Sequence, residues 1–159
     1  MKKTHRPEIA PGITVDRDEG FGKPTVKGTD VSVEEVLNRL VAGATTEAVE
    51  ADSGLTRQGI LAAIGYAAEI AAEEPQARNL DLGDWPEEVT PGITRDPRVR
   101  FGKAVIKDRR IDAASVLGHL ASGESFDDLE REFSLMPEQI RDAICYGSML
   151  VAREVASAV

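Results

Sequence analysis

A chain of 159 residues with 42% hydrophobic content has room for one medium domain or two small ones around an apolar core. Its single cysteine, Cys145, excludes an internal disulfide and a cysteine-based metal centre. His5 and His119 stand too far apart to offer a ligand spacing, so no metal and no cofactor is expected. The formal charge of −9 repels nucleic acid overall, so any DNA contact has to come from a local basic patch.

Residues 1–10 read as a tail, with two lysines and no apolar stretch behind them. No run in the chain approaches the ~18 apolar residues of a bilayer span, so a cytoplasmic protein without membrane contact is expected. Next come Ile13-Thr14-Val15 and Lys23-Pro24-Thr25-Val26-Lys27, two extended stretches separated by the turn-forming Asp18-Glu19-Gly20, which predict a short β-hairpin. In the following SVEEVLNRLVAG, Ser32 and Glu35 have capping-box spacing, and Val33, Val36, Leu37 and Leu40 recur at i, i+3, i+4, i+7. Gly43 supplies a stop, so this is a first helix. A shorter second helix starts near Thr46 and ends before Ser53-Gly54. A third runs from about Thr56 to Glu74 with Ile60, Ala63, Ile64, Ala67 and Ile70 inward.

The pattern then repeats. PGIT at 11 returns at 91, an offset of 91 − 11 = 80, and the same offset carries Phe21-Gly22-Lys23 onto Phe101-Gly102-Lys103, Lys27 onto Lys107, Leu40 onto Leu120, Ile64 onto Ile144 and Tyr66 onto Tyr146. In the second copy the middle helix opens at Ser125 with Asp128 three residues on, with Phe126, Leu129 and Phe133 as its apolar face, and the third opens at Pro137. The chain divides into a tail at 1–10, a first repeat at 11–74, a linker at 75–90 and a second repeat at 91–159. A copy of about sixty residues is marginal alone, so the two are expected to pack together. Trp85, the only tryptophan, is expected to pin the linker onto one or both copies.

The order ITxDxxxxFGKPxVKGTxVxVExVLxxLxAG, complete in copy one and followed in part by copy two, resembles the domain-of-unknown-function family 433, a small prokaryotic domain often seen beside toxin–antitoxin genes. The resemblance implies trihelical, helix-turn-helix-like units and an antitoxin role in a VapBC-like pair, with a PIN-like nuclease as partner toxin. Copy one keeps Gly22-Lys23-Pro24 and Lys27-Gly28-Thr29 of the motif but has Asp30 where an arginine is usual. Copy two keeps Arg110 and has Ala104 and Asp108 in place of the proline and glycine. The expected fold is mainly α: two tandem trihelical repeats, each preceded by a β-hairpin, packed as a pseudo-two-fold intramolecular dimer.

GFGKPT imitates the end of a phosphate loop, but Lys23 is followed by proline and an extended stretch where such a loop needs a helix. Gly22 and Gly102 therefore read as tight turns. Lys23 and Lys27, and Lys103 and Lys107, share a strand face by their even spacing; they could track a phosphate backbone or simply blunt a sheet edge. Residues 95–110 hold seven basic against two acidic residues, while residues 15–30 hold three against four. That excess either meets DNA through Arg98, Arg100, Lys103, Lys107, Arg109 and Arg110 or holds the acidic helices of copy one. In the helix-turn-helix reading Arg57 and Gln58 open the third helix and could read base edges. Their counterparts Pro137 and Glu138 could not, which argues against a symmetric two-site reader. Nothing assembles a catalytic constellation: His119 reads as a surface or half-buried side chain, Cys145 as a small apolar one, and Tyr66 and Tyr146 as packing residues whose hydroxyl reaches a polar rim or the hairpin backbone.

The function expected is thus non-enzymatic partner binding of the antitoxin kind, with operator DNA as a second ligand. A DNA-binding regulator without a toxin and an orphan interaction module are the alternatives, and further homo-oligomerisation stays open.

Overall fold

The computed structural model describes residues 6–16, 22–78 and 83–157. The Asp18-Glu19-Gly20 turn, Phe21, His5, Leu80 and Leu82 lie outside the described residues. The expected hairpin is present as β2 (Ile13–Val15) and β3 (Pro24–Val26), antiparallel with Ile13 opposite Val26 and Val15 opposite Pro24. Lys23 and Lys27 flank this short strand. A third strand, β1 (Glu8–Ala10), joins β2 from within the expected tail. Pro11 and Gly12 make the turn: Gly12 has a φ of +75, and its N–H donates to Glu8 Oε1 at 2.8 Å. Arg6 ties the same segment down through Asp16 at 3.3 Å, Asp30 at 3.1 Å and the Thr29 carbonyl at 3.2 Å.

Copy two repeats the arrangement. β4 (Glu87–Thr90) comes from the expected linker and pairs with β5 (Ile93–Arg95), which pairs with β6 (Val105–Ile106). Gly92 N–H donates to Glu88 Oε1 at 2.9 Å, as Gly12 does to Glu8. The signal for both extra strands was in the sequence, since Glu8-Ile9-Ala10 corresponds to Glu88-Val89-Thr90 at the same offset.

The helices follow their caps. α1 (Val33–Val41) starts where Ser32 Oγ accepts from Glu35 N–H at 3.1 Å. α2 (Thr46–Ser53) runs between Thr45 and a left-handed Gly54, and α3 (Arg57–Glu73) starts at Thr56. α4 (Ala113–Ala121) is capped by Asp112, and α5 (Phe126–Phe133) by a full capping box of Ser125 and Asp128. α6 (Pro137–Ser157) is the longest.

Packing crosses the repeat boundary. α3 lies on α4 and α6 of the other copy, and α1 lies on α6, so one buried cluster holds Leu37, Ile60 and Ile64 together with Leu117, Ile140 and Ile144. Fully burying each such side chain is worth about 1.5–3 kcal/mol. Small residues let the helices approach: a Cβ on Gly147 would stand 3.2 Å from Ala67 Cβ and 3.1 Å from Leu117 Cδ1. Together the described residues form six α-helices and two three-stranded sheets, and no helix among them is long and apolar enough to cross a membrane.

The linker is held by a backbone contact. Ala77 is buried and its N–H donates to the Gly102 carbonyl at 2.8 Å. Trp85 is half-buried with its indole against Gly83, outside the core cluster.

Candidate functional site

The basic segment is built around a tight turn. After β5 the chain passes through Asp96 and Arg98 to a short 3-10 turn, Arg100–Gly102, in which three successive residues have positive φ: Arg100 (46), Phe101 (57) and Gly102 (80). Only the glycine adopts that backbone freely. Gly22, at the same place in copy one, is also left-handed, with a φ of +72. Phe101 as a residue is 80% exposed.

Most cations of this segment already have acceptors in the chain. Arg95 bonds Glu87 at 2.9 Å, Arg98 grips Asp96 at 2.9 and 2.7 Å, Arg100 reaches Asp112 at 3.4 Å, and Lys107 stands 3.7 Å from Glu88. Arg109 donates to the Ser134 carbonyl at 2.8 Å and to that of Phe133, satisfying the C-terminal carbonyls of α5. These partners lie in β4, in the second repeat and at the end of α5, and none of those named lies in α1 or α2. Lys103 and Arg110 are exposed and have no acidic partner among the described residues.

The pairings shift the acids. Hydrogen bonds from the Arg98 side chain and backbone hold the Asp96 carboxyl below its usual range. Burial would favour the neutral form of Asp112, but the Ser115 hydroxyl and N–H, its own N–H and Arg100 outweigh that and lower it.

Arg57 and Gln58 sit elsewhere. Both are exposed at the start of α3, but Arg57 donates to the Gly123 carbonyl at 3.0 Å in the α4–α5 turn. Gln58 lines a cleft with Lys27, Tyr66 and Ala121. Lys23 is exposed, and Lys27 pairs with Glu8 at 3.0 Å. Tyr146 is buried and Tyr66 half-buried; burial raises the pKa of both hydroxyls, helped by Glu74 at Tyr146 and by Glu154 and Glu69 at Tyr66. Cys145 is half-buried.

His119 is half-buried, its ring tilted against Phe133 at 5.0 Å and its Nδ1 in contact with Glu124. Among the described residues His119, Glu124 and Glu132 place one ligand atom each within 4.8 Å of one another. That is the set to which a divalent cation could be added. Its single histidine is joined by carboxylates from the next turn and helix, Glu124 and Glu132, so no histidine-pair spacing marks it in the sequence.

The family model described as protein of unknown function (DUF433) matches residues 13–67 and again residues 93–146. The chain belongs to this family. It carries the DUF433 unit twice, and the two matches begin at equivalent residues, Ile13 and Ile93. No curated protein and no solved structure matches it. In DUF433 terms the FGK frame of copy two is the turn leading to the last strand of its sheet, and that turn displays Phe101.

Proposed function

We propose that this chain is a non-enzymatic, antitoxin-like module that binds a partner protein through the loop carrying Phe101. The observation behind the reading is Phe101 itself, a residue 80% exposed on left-handed backbone between Arg100 and Gly102. Each strained non-glycine residue costs about 1–3 kcal/mol, and such strain concentrates where chains bind or react. An aromatic centre with Arg98, Arg100 and Lys103 around it has the anatomy of an interface anchor. Its complement is an apolar pocket edged with carboxylates, the chemistry of an acid-lined nuclease face of the PIN-like kind.

The two copies act in this reading as a fused pair, a pseudo-two-fold intramolecular dimer. Supporting it, α3 on α4 and α1 on α6 pack across the boundary. A groove of about 530 Å³ is lined by the equivalent pairs Leu40 and Leu120, Gly43 and Gly123, and Ile64 and Ile144.

The test is co-expression with the protein encoded beside this one. Wild type is expected to co-purify with it and restore growth, and Phe101→Ala to lose both without a lower melting temperature. A complex indifferent to Phe101→Ala, or no complex, removes the reading. Operator binding is the second reading, favoured by exposed Gln58 and by Lys103 and Arg110, which have no acidic partner among the described residues. It requires retardation of promoter fragments that weakens with salt by a log–log slope of about −0.9 per phosphate contact.

A further inference from the structure

We propose that the cleft bounded by Arg95, Lys103 and Tyr146 is a binding site for a small oxyanion, carboxylate or phosphate. The cleft, about 250 Å³, lies where the last turn of α3 and the start of the linker meet the sheet and α4 of the second copy. It exists only because the two copies pack. Its size is below that of sites for drug-sized molecules, which fits a small ligand.

Three donors there lack acceptors. Tyr146 is 3% exposed, and its hydroxyl makes no hydrogen bond among the described residues. Arg95 Nε is buried without a partner, while its terminal nitrogens are used by Glu87 at 2.9 Å and the Pro75 carbonyl at 3.4 Å. Lys103 brings an exposed ammonium that makes no ion pair among the described residues. The Tyr146 hydroxyl and the Lys103 ammonium open on the cleft without an acceptor among the described residues, and donors placed in this way are complementary to a ligand made of acceptors, while Arg95 Nε, closed off behind them, adds positive charge to the wall. Burial keeps the Tyr146 hydroxyl protonated, and so a donor, at neutral pH.

Two carboxylates also line the cleft, and both are compensated. Glu74 is bonded to Arg153, and Asp112 accepts from Arg100 at 3.4 Å and from the Ser115 N–H and hydroxyl. Much of the remaining wall is alanine, which accommodates a short apolar body behind the charged group.

Copy one serves as an internal control. At the same offset Val15 replaces Arg95, and Glu34 and Glu35 replace Ala114 and Ser115, while Lys23 and Tyr66 match Lys103 and Tyr146. A donor is lost there and two acids are gained, so the site belongs to copy two alone. The inference is independent of the partner protein.

The experiment is calorimetric titration of the full chain with inorganic phosphate and, separately, with sodium butyrate, at ionic strength held constant with sodium chloride. Saturable binding at one site per chain is expected for at least one of them, and which one binds identifies the ligand class. Tyr146→Phe and Lys103→Gln should each weaken it about tenfold, and Lys23→Gln should leave it unchanged. Overturning results are no saturable binding beyond the chloride control, or equal affinity in wild type, Tyr146→Phe and Lys103→Gln.

Discussion

Ser148 on α6 donates a hydrogen bond of 2.6 Å to Asn38 Oδ1 on α1, joining the two copies through residues 110 positions apart. The equivalent positions are Ala68 and Gly118, so this polar tie exists on one side only. Ser148 is buried and Asn38 exposed. Asn38→Ala should therefore cost about 1 kcal/mol, because the buried hydroxyl is left with only the carbonyls of its own helix. Ser148→Ala should cost less, since Asn38 returns to water. Denaturant midpoints of both single variants and the double variant would show the coupling; strictly additive effects would contradict it.

Gly102 and Gly22 occupy equivalent turns but should respond differently to alanine. A Cβ on Gly102 would fall 1.9 Å from the Ala77 carbonyl oxygen, whereas at Gly22 the nearest contact is Val15 Cγ1 at 4.0 Å. Gly22→Ala should lose only the left-handed preference, about 1 kcal/mol. Gly102→Ala should lose that and also expel the linker, a loss above about 2 kcal/mol. Amide exchange at Ala77 should rise in the second variant alone.

Arg109 and Arg110 are adjacent cations with different work. Arg109 satisfies carbonyls at the end of α5, so Arg109→Ala should destabilise the free protein by about 1 kcal/mol. Arg110 has no acidic partner among the described residues, and Arg110→Ala should stay within about 0.5 kcal/mol of wild type. Thermal melts without any ligand distinguish them; equal losses would mean that Arg110 also braces the fold.

Acid should weaken the protein. Asp96, Asp112 and Asp128 have folded-state pKa values below the ordinary value near 3.9. Groups depressed on folding contribute stability that is complete above the unfolded value and lost as pH falls through the folded ones. Asp142 has the opposite sign: burial raises its carboxyl, so its contribution is present at low pH and lost as pH rises through the folded value. Asp112→Asn should be less stable than wild type at pH 7 with a shallower acid limb. Asp142→Asn should gain at pH 7 and not at about pH 3. Urea midpoints across that range provide the measurement.

Residues 1–80 and 81–159, expressed apart, should not melt cooperatively as monomers, because α3 and α6 each bury their inner face largely against the other copy. Mixing the halves should restore a sharp transition. Two independent monomeric transitions would show that the shared core is dispensable.

Much of this architecture was legible as pattern. The offset carries FGK from 21 to 101, and the caps Ser32, Thr56 and Ser125 open helices where apolar spacing called for them. β1 and β4 leave one trace in the sequence, the offset match of Glu8-Ile9-Ala10 with Glu88-Val89-Thr90, and it is pairing with Thr14 and Thr94 that makes them strands. Trp85 suggests itself as a linker anchor by its size; the backbone contact of Ala77 on Gly102 is one that no side-chain property announces.

By itself the sequence determined a duplicated unit, its helices and the location of its basic excess, because these depend on neighbours within a few residues. Which cations find acceptors, which donors in the Arg95, Lys103 and Tyr146 cleft do not, and that Phe101 faces solvent were decided only by tertiary structure. Those outcomes depend on groups brought together from distant parts of the chain, and local spacing carries no information about that distance.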